Sequence, residues 1–293
     1  MPRPKISDVD PYDRKRIDVL DSEMSYVDAG SGDSVVFLHG NGTFSYVWRN
    51  ILPYVEPFGR CLAPDLMGCG ESGDIPSGEY SIQNQIKYLD AWLEALDLGD
   101  CIHLVLHDWG GPIGFDWAHR HQGRVKSISY METLVMPLEW EDWPEIRRDI
   151  FKKIKSPAGE DMVLRDNLFI DTVETRIIRN LTDTEMNTYR KRYDEPGESR
   201  RPTLTFARSC PIGGEPADII ELVERFGAWL ETSEIPKFFI NAYPGSILTG
   251  RQRDYCRTWP NQQEQMVIGI HYIQEDSPHL IGEGIARFLQ SLG

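Results

Sequence analysis

Apolar residues fall along this chain in two rhythms. Up to Glu132, short unbroken apolar runs alternate with stretches in which apolar residues recur every three or four positions. The run SVVFLHG (34–40) predicts a buried strand, as do RCLAPDL (60–66), CIHLVLHD (101–108) and VKSISYME (125–132). Between them, YSIQNQIKYLDAWLEALDLG (80–99) carries Ile82, Ile86, Leu89, Leu93 and Leu96 at helical spacing and closes on Gly99. That spacing predicts an amphipathic helix with a glycine stop. FSYVWRNILPYV (44–55) predicts a helix as far as Pro53, and GPIGFDWAHRH (111–121) a helix straight after a strand. Near-continuous apolar strands separated by helices predict a mostly parallel sheet covered on both faces.

The rhythm breaks at Thr133. From there to Glu215 no buried strand is evident, and the stretch is charged, rich in Trp and Pro, and helical in pattern. Alternation then returns with a helix near 218–230, strands PKFFINAYPG (236–245) and EQMVIGIHY (264–272), and a last helix SPHLIGEGIARFLQSL. Ser277 is the expected cap of that helix and Pro278 its first residue. The expected organisation is an α/β core, residues 1–132 and 216–293, interrupted by a helical insertion, 133–215. So long an insertion between two core strands reads as a lid over a site.

Charge narrows the possible partners. The 293 residues include 46 acidic and 31 basic ones, a net charge of −15, which repels nucleic acid and anionic membrane but not a small neutral substrate. Five cysteines, with no C-x-x-C spacing, imply neither a disulfide framework nor a zinc site. Cys61 and Cys101 lie in apolar runs and are expected to be buried. The N-terminal MPRPKISDVDPYDRKRIDV has no apolar segment of a secretory leader, and no run reaches the roughly 18 apolar residues of a membrane span. The chain therefore reads as cytoplasmic. Its oligomeric state, monomer or small homo-oligomer, is left open.

The candidate chemistry centres on LVLHDWGGPIGFDWAHRH (104–121), where Asp108 ends an apolar strand and begins a helix. In open α/β sheets ligands bind beyond the carboxyl ends of the strands. A tight strand-to-helix turn there is the geometry of a nucleophile elbow. An aspartate in that position is already anionic, so it can attack an electrophilic carbon without first losing a proton. The competing reading of Asp108 is a helix N-cap.

The motifs HGN (39–41), PDLMGCGESG from Pro64, HDWGG (107–111), VMPLEWEDWPE from Val135, CPIGGEPADI from Cys210 and GIHYIQEDSPHLIGEGIARFL from Gly269 resemble the haloalkane dehalogenases of the α/β-hydrolase superfamily. The resemblance runs from about Asp21 to Leu292. It is to the branch whose catalytic acid follows the sixth strand, a branch that also holds the coelenterazine luciferases of the sea pansy type. It implies an α/β-hydrolase fold with a helical cap inserted after that strand. It also implies a hydrolysis in which a small halogenated aliphatic substrate and water give a primary alcohol, a halide ion and a proton, with no cofactor and no metal.

By the same resemblance Asp108 is the nucleophile, forming an alkyl ester, and a histidine is the base that activates water to cleave it. His271 directly follows the last apolar strand, whereas His279 falls in the next helix and is expected at the surface, so His271 is preferred. Glu132, at the end of its strand, matches the orienting acid; FFINAYPG, where related families carry an Asp instead, has none. Trp109 and Asn41 match the family's halide-binding pair, each offering N–H donors to an anion, although alone they would read as a core aromatic and a turn residue. Their backbone N–H groups match the oxyanion hole. Trp140, Trp143, Phe151, Phe169 and Phe206 recur where the family lines its cavity, with Pro211, Ile212 and Ile247 as further candidates. The sequence departs from common family forms at Gly42, Gly111-Pro112, Ser246 and Thr249, which bears on substrate range. An epoxide hydrolase would carry an aromatic in place of Asn41, with lid tyrosines such as Tyr189 or Tyr193 at work. A cofactor-independent luciferase-like monooxygenase would use the same pocket. A non-catalytic receptor on this scaffold would typically have lost a member of the triad.

Overall fold

The computed structural model describes residues 4–293; residues 1–3, the start of the stretch read as lacking a leader, lie outside the described residues. Eight strands form one sheet among the described residues: β1 (Lys15–Val19), β2 (Ser22–Ala29), β3 (Ser34–Leu38), β4 (Arg60–Pro64), β5 (Ile102–Asp108), β6 (Val125–Thr133), β7 (Lys237–Pro244) and β8 (Gln262–Gly269), in the order β1-β2-β4-β3-β5-β6-β7-β8. β1 and β2 pair antiparallel, as do β2 and β4; from β4 to β8 every pairing is parallel. The chain runs from β3 outward to β4 and then crosses back to β5 on the other side of β3. That reversal opens a crevice between the carboxyl ends of β3 and β5, where open α/β sheets take their ligands.

The helices are α1 (Leu52–Val55), α2 (Ile82–Ala95), α3 (Gly110–Arg120), α4 (Glu145–Lys155), α5 (Leu168–Asp171), α6 (Asp183–Arg190), α7 (Arg201–Ser209), α8 (Ala217–Leu230), α9 (Gly250–Cys256), α10 (Ile273–Asp276) and α11 (Pro278–Gln290). Because strand side chains alternate faces, Val35, Phe37 and Val105 pack with Trp48, Ile51 and α11 on one side of the sheet. Val36, Leu38, Leu104 and Leu106 pack with α2, α3 and α8 on the other. Both faces are dry, which is why β3 and β5 read as solid apolar runs. Between β6 and β7 the described chain has helices but no sheet strand: α4 to α7, a π-helical turn at Glu160–Arg165, and then α8.

The structure corrects several expectations. β1 and β2 escape the apolar pattern because this hairpin lies at the edge of the sheet and carries Lys15, Arg16, Asp18, Glu23 and Asp28, charges that an edge tolerates. The helix expected over 44–53 is a 3-10 turn, Ser45–Trp48, followed by the one-turn α1. Pro53 sits in the first turn of α1, where its missing N–H costs nothing, instead of ending a longer helix. Ser277 precedes α11, but its hydroxyl donates to Ile268 O at 2.7 Å and makes no cap hydrogen bond. All five cysteines are free; Cys61 is buried but Cys101, just ahead of β5, is exposed. His279 is not a surface residue: its side chain is buried against Tyr54, whose hydroxyl lies 2.9 Å from His279 Nδ1.

Candidate active site

The turn after β5 does what its sequence demands. Asp108 has φ 50°, a left-handed conformation that is uncommon for a residue with a side chain. It aims the carboxylate away from the sheet, back toward the end of β3. Glycines make room for it. A Cβ at Gly40 would overlap the Asp108 carboxylate, and one at Gly110 would overlap the Leu38 carbonyl. Thr133 Oγ1 donates to Asp108 O at 2.6 Å and pins the turn to the end of β6. Asn41, three residues past β3, donates its backbone N–H to Asp108 Oδ1 at 2.5 Å.

His271 lies two residues past β8. Its Nε2 is 3.3 Å from Asp108 Oδ2 and its Nδ1 is 3.5 Å from Glu132 Oε2. Glu132 is fully buried and also has a positive φ, 39°. It accepts backbone N–H bonds from Ser246 (2.9 Å) and Ile247 (2.8 Å) on Oε2 and from Leu248 (3.3 Å) on Oε1. The loop after β7 thus fixes this carboxylate with three main-chain donors, and its negative charge acts on His271 and, more weakly, on Arg147. Burial opposes protonation of His271, but the Asp108 and Glu132 carboxylates outweigh it and raise its pKa above the usual imidazole value. Burial likewise opposes ionisation of Asp108, and its hydrogen bond to His271, with the charge of that ring, brings it below the usual carboxylate range.

Two more buried histidines support the site without facing it. Burial holds His107 neutral, its pKa pushed down to about 3; its Nε2–H donates to the His271 carbonyl at 2.9 Å. His39 Nδ1–H donates to Gly40 O at 2.9 Å, while its Nε2 accepts Leu66 N–H at 2.8 Å, fixing the tautomer. The helical region after β6 also contributes: Arg176 O accepts the N–H groups of His271 (3.0 Å) and Tyr272 (3.3 Å). Tyr272 donates its hydroxyl to Asn41 O at 3.0 Å.

These groups close one end of a cavity of about 300 Å³, lined by Asn41, Asp108, Trp109 and His271 and otherwise mostly by apolar side chains. Of the sequence-derived pocket residues, Trp143, Phe151, Phe169 and Ile247 line it. Phe206 stands outside that lining, its ring 5.8 Å from that of Trp109. Trp140 packs under Lys152 and beside Gly213, and Pro211 and Ile212 are occupied in main-chain pairing with Leu138. Tyr189 and Tyr193 do not line the cavity; the Tyr189 hydroxyl donates to Glu275. Arg147, Ile150, Leu168, Arg176 and Tyr272 line it without having been singled out from sequence. Only α4 carried a signal for them, since Trp143, Arg147, Ile150, Phe151 and Ile154 recur at helical spacing. Among the described residues no three His, Cys, Asp or Glu side chains gather as a metal site.

Chemically, the arrangement offers an ionised carboxylate at the end of a mostly apolar cavity, an imidazole within reach of it, a second carboxylate behind that ring, and N–H donors in front. Similarity to known proteins points the same way. A sequence model of the alpha/beta hydrolase fold matches residues 33–156. A haloalkane dehalogenase of Sphingobium indicum is 50% identical over 96% of this chain and 96% of its own. A coelenterazine h 2-monooxygenase of Renilla reniformis is 39% identical over 94% of this chain and 90% of its own. The crystal structure of a haloalkane dehalogenase from Bradyrhizobium elkani superimposes with a TM-score of 0.91 at 36% identity, covering 96% of this chain and 98% of that one.

Proposed function

The chain belongs to the haloalkane dehalogenases, hydrolases of the α/β-hydrolase fold that cleave carbon–halogen bonds, and from that premise we propose that Asp108, His271 and Glu132 carry the reaction, with Trp109 and Asn41 holding the halide. Asp108 Oδ2 attacks the halogen-bearing carbon; the carbon–oxygen bond forms as the carbon–halogen bond breaks, and the halide leaves with the bonding pair. No acid can usefully protonate that halide, so N–H donors take up its charge. The Trp109 indole supplies one. Asn41 has two side-chain N–H groups; one goes to Thr203 O at 3.0 Å, which leaves the second for the halide.

The ester is then hydrolysed. His271 takes a proton from water, the hydroxyl oxygen adds to the Asp108 carboxyl carbon, and the resulting oxyanion meets the Asn41 backbone N–H already set at Oδ1. Collapse releases the primary alcohol and restores the carboxylate, and His271 passes its proton to solvent. Glu132 holds the ring and stabilises its charged form. The observation that carries this reading is the line of contacts Glu132–His271–Asp108 ending at a mostly apolar cavity.

We take residues 133–215 as the lid and the remainder as the core, with α8 in the core because it packs on α3. Net charge and the absence, among the described residues, of a helix long and apolar enough to cross a membrane favour small-molecule work in the cytoplasm, without nucleic-acid or membrane partners, by a monomer or small homo-oligomer.

The test is bromide release from 1-bromobutane and 1,2-dibromoethane by purified protein. Turnover is expected, and intact-mass spectrometry of His271→Phe after exposure to 1-bromobutane should show one added butyl group. A folded His271→Phe protein of unaltered mass would overturn the assignment. Coelenterazine and an epoxide run in parallel should give neither light nor diol.

A further inference from the structure

The outer end of the cavity is as distinctive as its buried end. The lining runs from buried Asp108 and Trp109 out to Ile146, which is 92% exposed, and Thr175, also exposed. Two arginines belong to this lining, Arg147 on α4, whose guanidinium meets the exposed Thr175, and Arg176 at the end of the 3-10 turn Val173–Arg176. Both are held by neutral groups. Arg147 donates to Thr175 O at 2.8 Å and to Ser246 Oγ at 3.4 Å. Arg176 donates to Phe169 O at 3.4 Å, its guanidinium 4.5 Å above the Phe169 ring. Among the described residues no carboxylate forms an ion pair with either, although acidic side chains outnumber basic ones and pair with Arg49, Arg120, Arg179, Arg201 and Arg208. Burial and then the neighbouring charge of Arg176 push the Arg147 pKa down to about 10, against a smaller opposing effect of Tyr272 and the Glu132 carboxylate. Two half-buried cations beside each other favour an anion between them.

The cavity dictates what kind of anion. Apart from the arginines and the buried end the walls are mostly apolar, Ile150, Phe151, Leu168 and Phe169 among them. An occupant spanning it must be apolar along its length, carry halogen at the inner end, and be charged only at the outer end. We propose that Arg147 and Arg176 form a carboxylate-binding subsite at the cavity mouth, so that the enzyme prefers haloalkyl chains ending in a carboxylate, ω-halogenated carboxylic acids, over neutral chains of equal length. This rests on the dehalogenase assignment of the buried end. The planar guanidinium suits a carboxylate, which it can grip with two parallel N–H bonds.

The experiment compares kcat/KM for 6-bromohexanoate and 6-bromohexan-1-ol, and for the eight-carbon pair, in the wild type, Arg147→Gln, Arg176→Gln and the double variant. The wild type should favour the acid, with the advantage smaller at high salt. In the double variant the acid-to-alcohol ratio should fall roughly 10- to 100-fold, mainly through KM, since hydrogen bonds to charged groups are worth about that much. Hexanoate should inhibit 6-bromohexan-1-ol turnover competitively in the wild type and far less in the double variant. A wild type without preference for the acid, or variants in which acid and alcohol decline together, would overturn the subsite. Absence of turnover with any bromide would instead refute the dehalogenase assignment. In that case the rise in melting temperature with hexanoate, wild type against double variant, still decides whether the mouth binds carboxylates.

Discussion

Asp108 and Glu132 both stand in the left-handed region, at φ 50° and 39°, a conformation that costs about 1–3 kcal/mol per residue when it is held by its surroundings. In each case the strain directs a carboxylate to a place regular strand geometry would not reach. The same two carboxylates set the titration of His271. Its pKa is raised, so the imidazolium persists above the ordinary imidazole range and is lost as pH rises through the shifted value. Asp108 is the largest source of that rise, so Asp108→Asn should lower the His271 pKa, as read by NMR titration of the ring; coincident titrations in the two proteins would refute the coupling. The catalytic consequence follows. In the proposed mechanism alkylation would neutralise Asp108, so His271 would be more readily neutral in the alkyl-enzyme, where it would accept a proton, than in the free enzyme. Glu132→Gln places an NH₂ group among three main-chain donors. It should lower kcat by roughly 10²–10⁴-fold, the usual worth of a general base held in position. Single-turnover kinetics should assign the loss to ester hydrolysis and not to halide release.

At the scale of elements, the site is made where two strand ends meet across the topological switch. β3 delivers Gly40 and Asn41, and β5 delivers Asp108, Trp109 and Gly110. The closeness of these two turns is what excludes side chains at the glycines. Gly110→Ala would drive a Cβ into the Leu38 backbone carbonyl, which cannot swing aside as a side chain could. We expect a lowered melting temperature or loss of soluble protein, and in any folded fraction a loss of turnover; a variant with native stability and rate would contradict the geometry. This element was the most legible in the sequence, because an apolar strand, an Asp and a Gly-Gly turn lie within a few positions of one another. The edge hairpin β1–β2 was illegible for the opposite reason: β1 has a strand partner on one side only, and the charged residues at the ends of both strands follow solvent. The 44–55 stretch misled because its apolar residues serve a turn packed on the sheet through Trp48 and Ile51 and not one face of a helix.

Across the whole molecule, a buried ionic network ties the helical segment between β6 and β7 to the rest of the chain. Arg49, beside the sheet, donates to Glu275 at 2.7 and 2.9 Å and to Glu185 of α6 at 2.6 Å. Arg179 bonds the same two carboxylates, and the Tyr189 hydroxyl donates to Glu275. Glu275 lies on α10, four residues beyond His271, so the helical segment is fastened next to that histidine. Removing one partner from such a cluster costs about 3–5 kcal/mol. Arg49→Met should accordingly lower the melting temperature by roughly 5–15 °C, and an unchanged transition would show the network to be dispensable. Burial opposes ionisation of Glu185, but Arg179, the Thr182 N–H and Arg49 bring its pKa below the usual carboxylate value. A depressed carboxylate stabilises the fold above its unfolded pKa and loses that contribution as pH falls through its folded one. The melting temperature should therefore drop on acidification below the ordinary carboxylate range, and drop less in Glu185→Gln.

What the sequence determined by itself is local. Strand and helix periods and the strand-to-helix turn around Asp108 are visible because each is encoded within one short window of chain, whereas Asn41, Trp109, Glu132 and His271 stood out through the resemblance of the motifs that hold them. Tertiary structure alone decided the rest. Residues 41, 108, 132 and 271 meet because the strand order brings the ends of β3, β5, β6 and β8 together, and strand order is not written in any one strand. Tertiary structure likewise buried His279 against Tyr54, exposed Cys101 and turned Phe206 away from the cavity lining. It also left Arg147 and Arg176 at the mouth with neutral partners. Whether a charge is paired or a ring is covered depends on residues far away in the chain, and those are fixed only when the sheet and its lid close together.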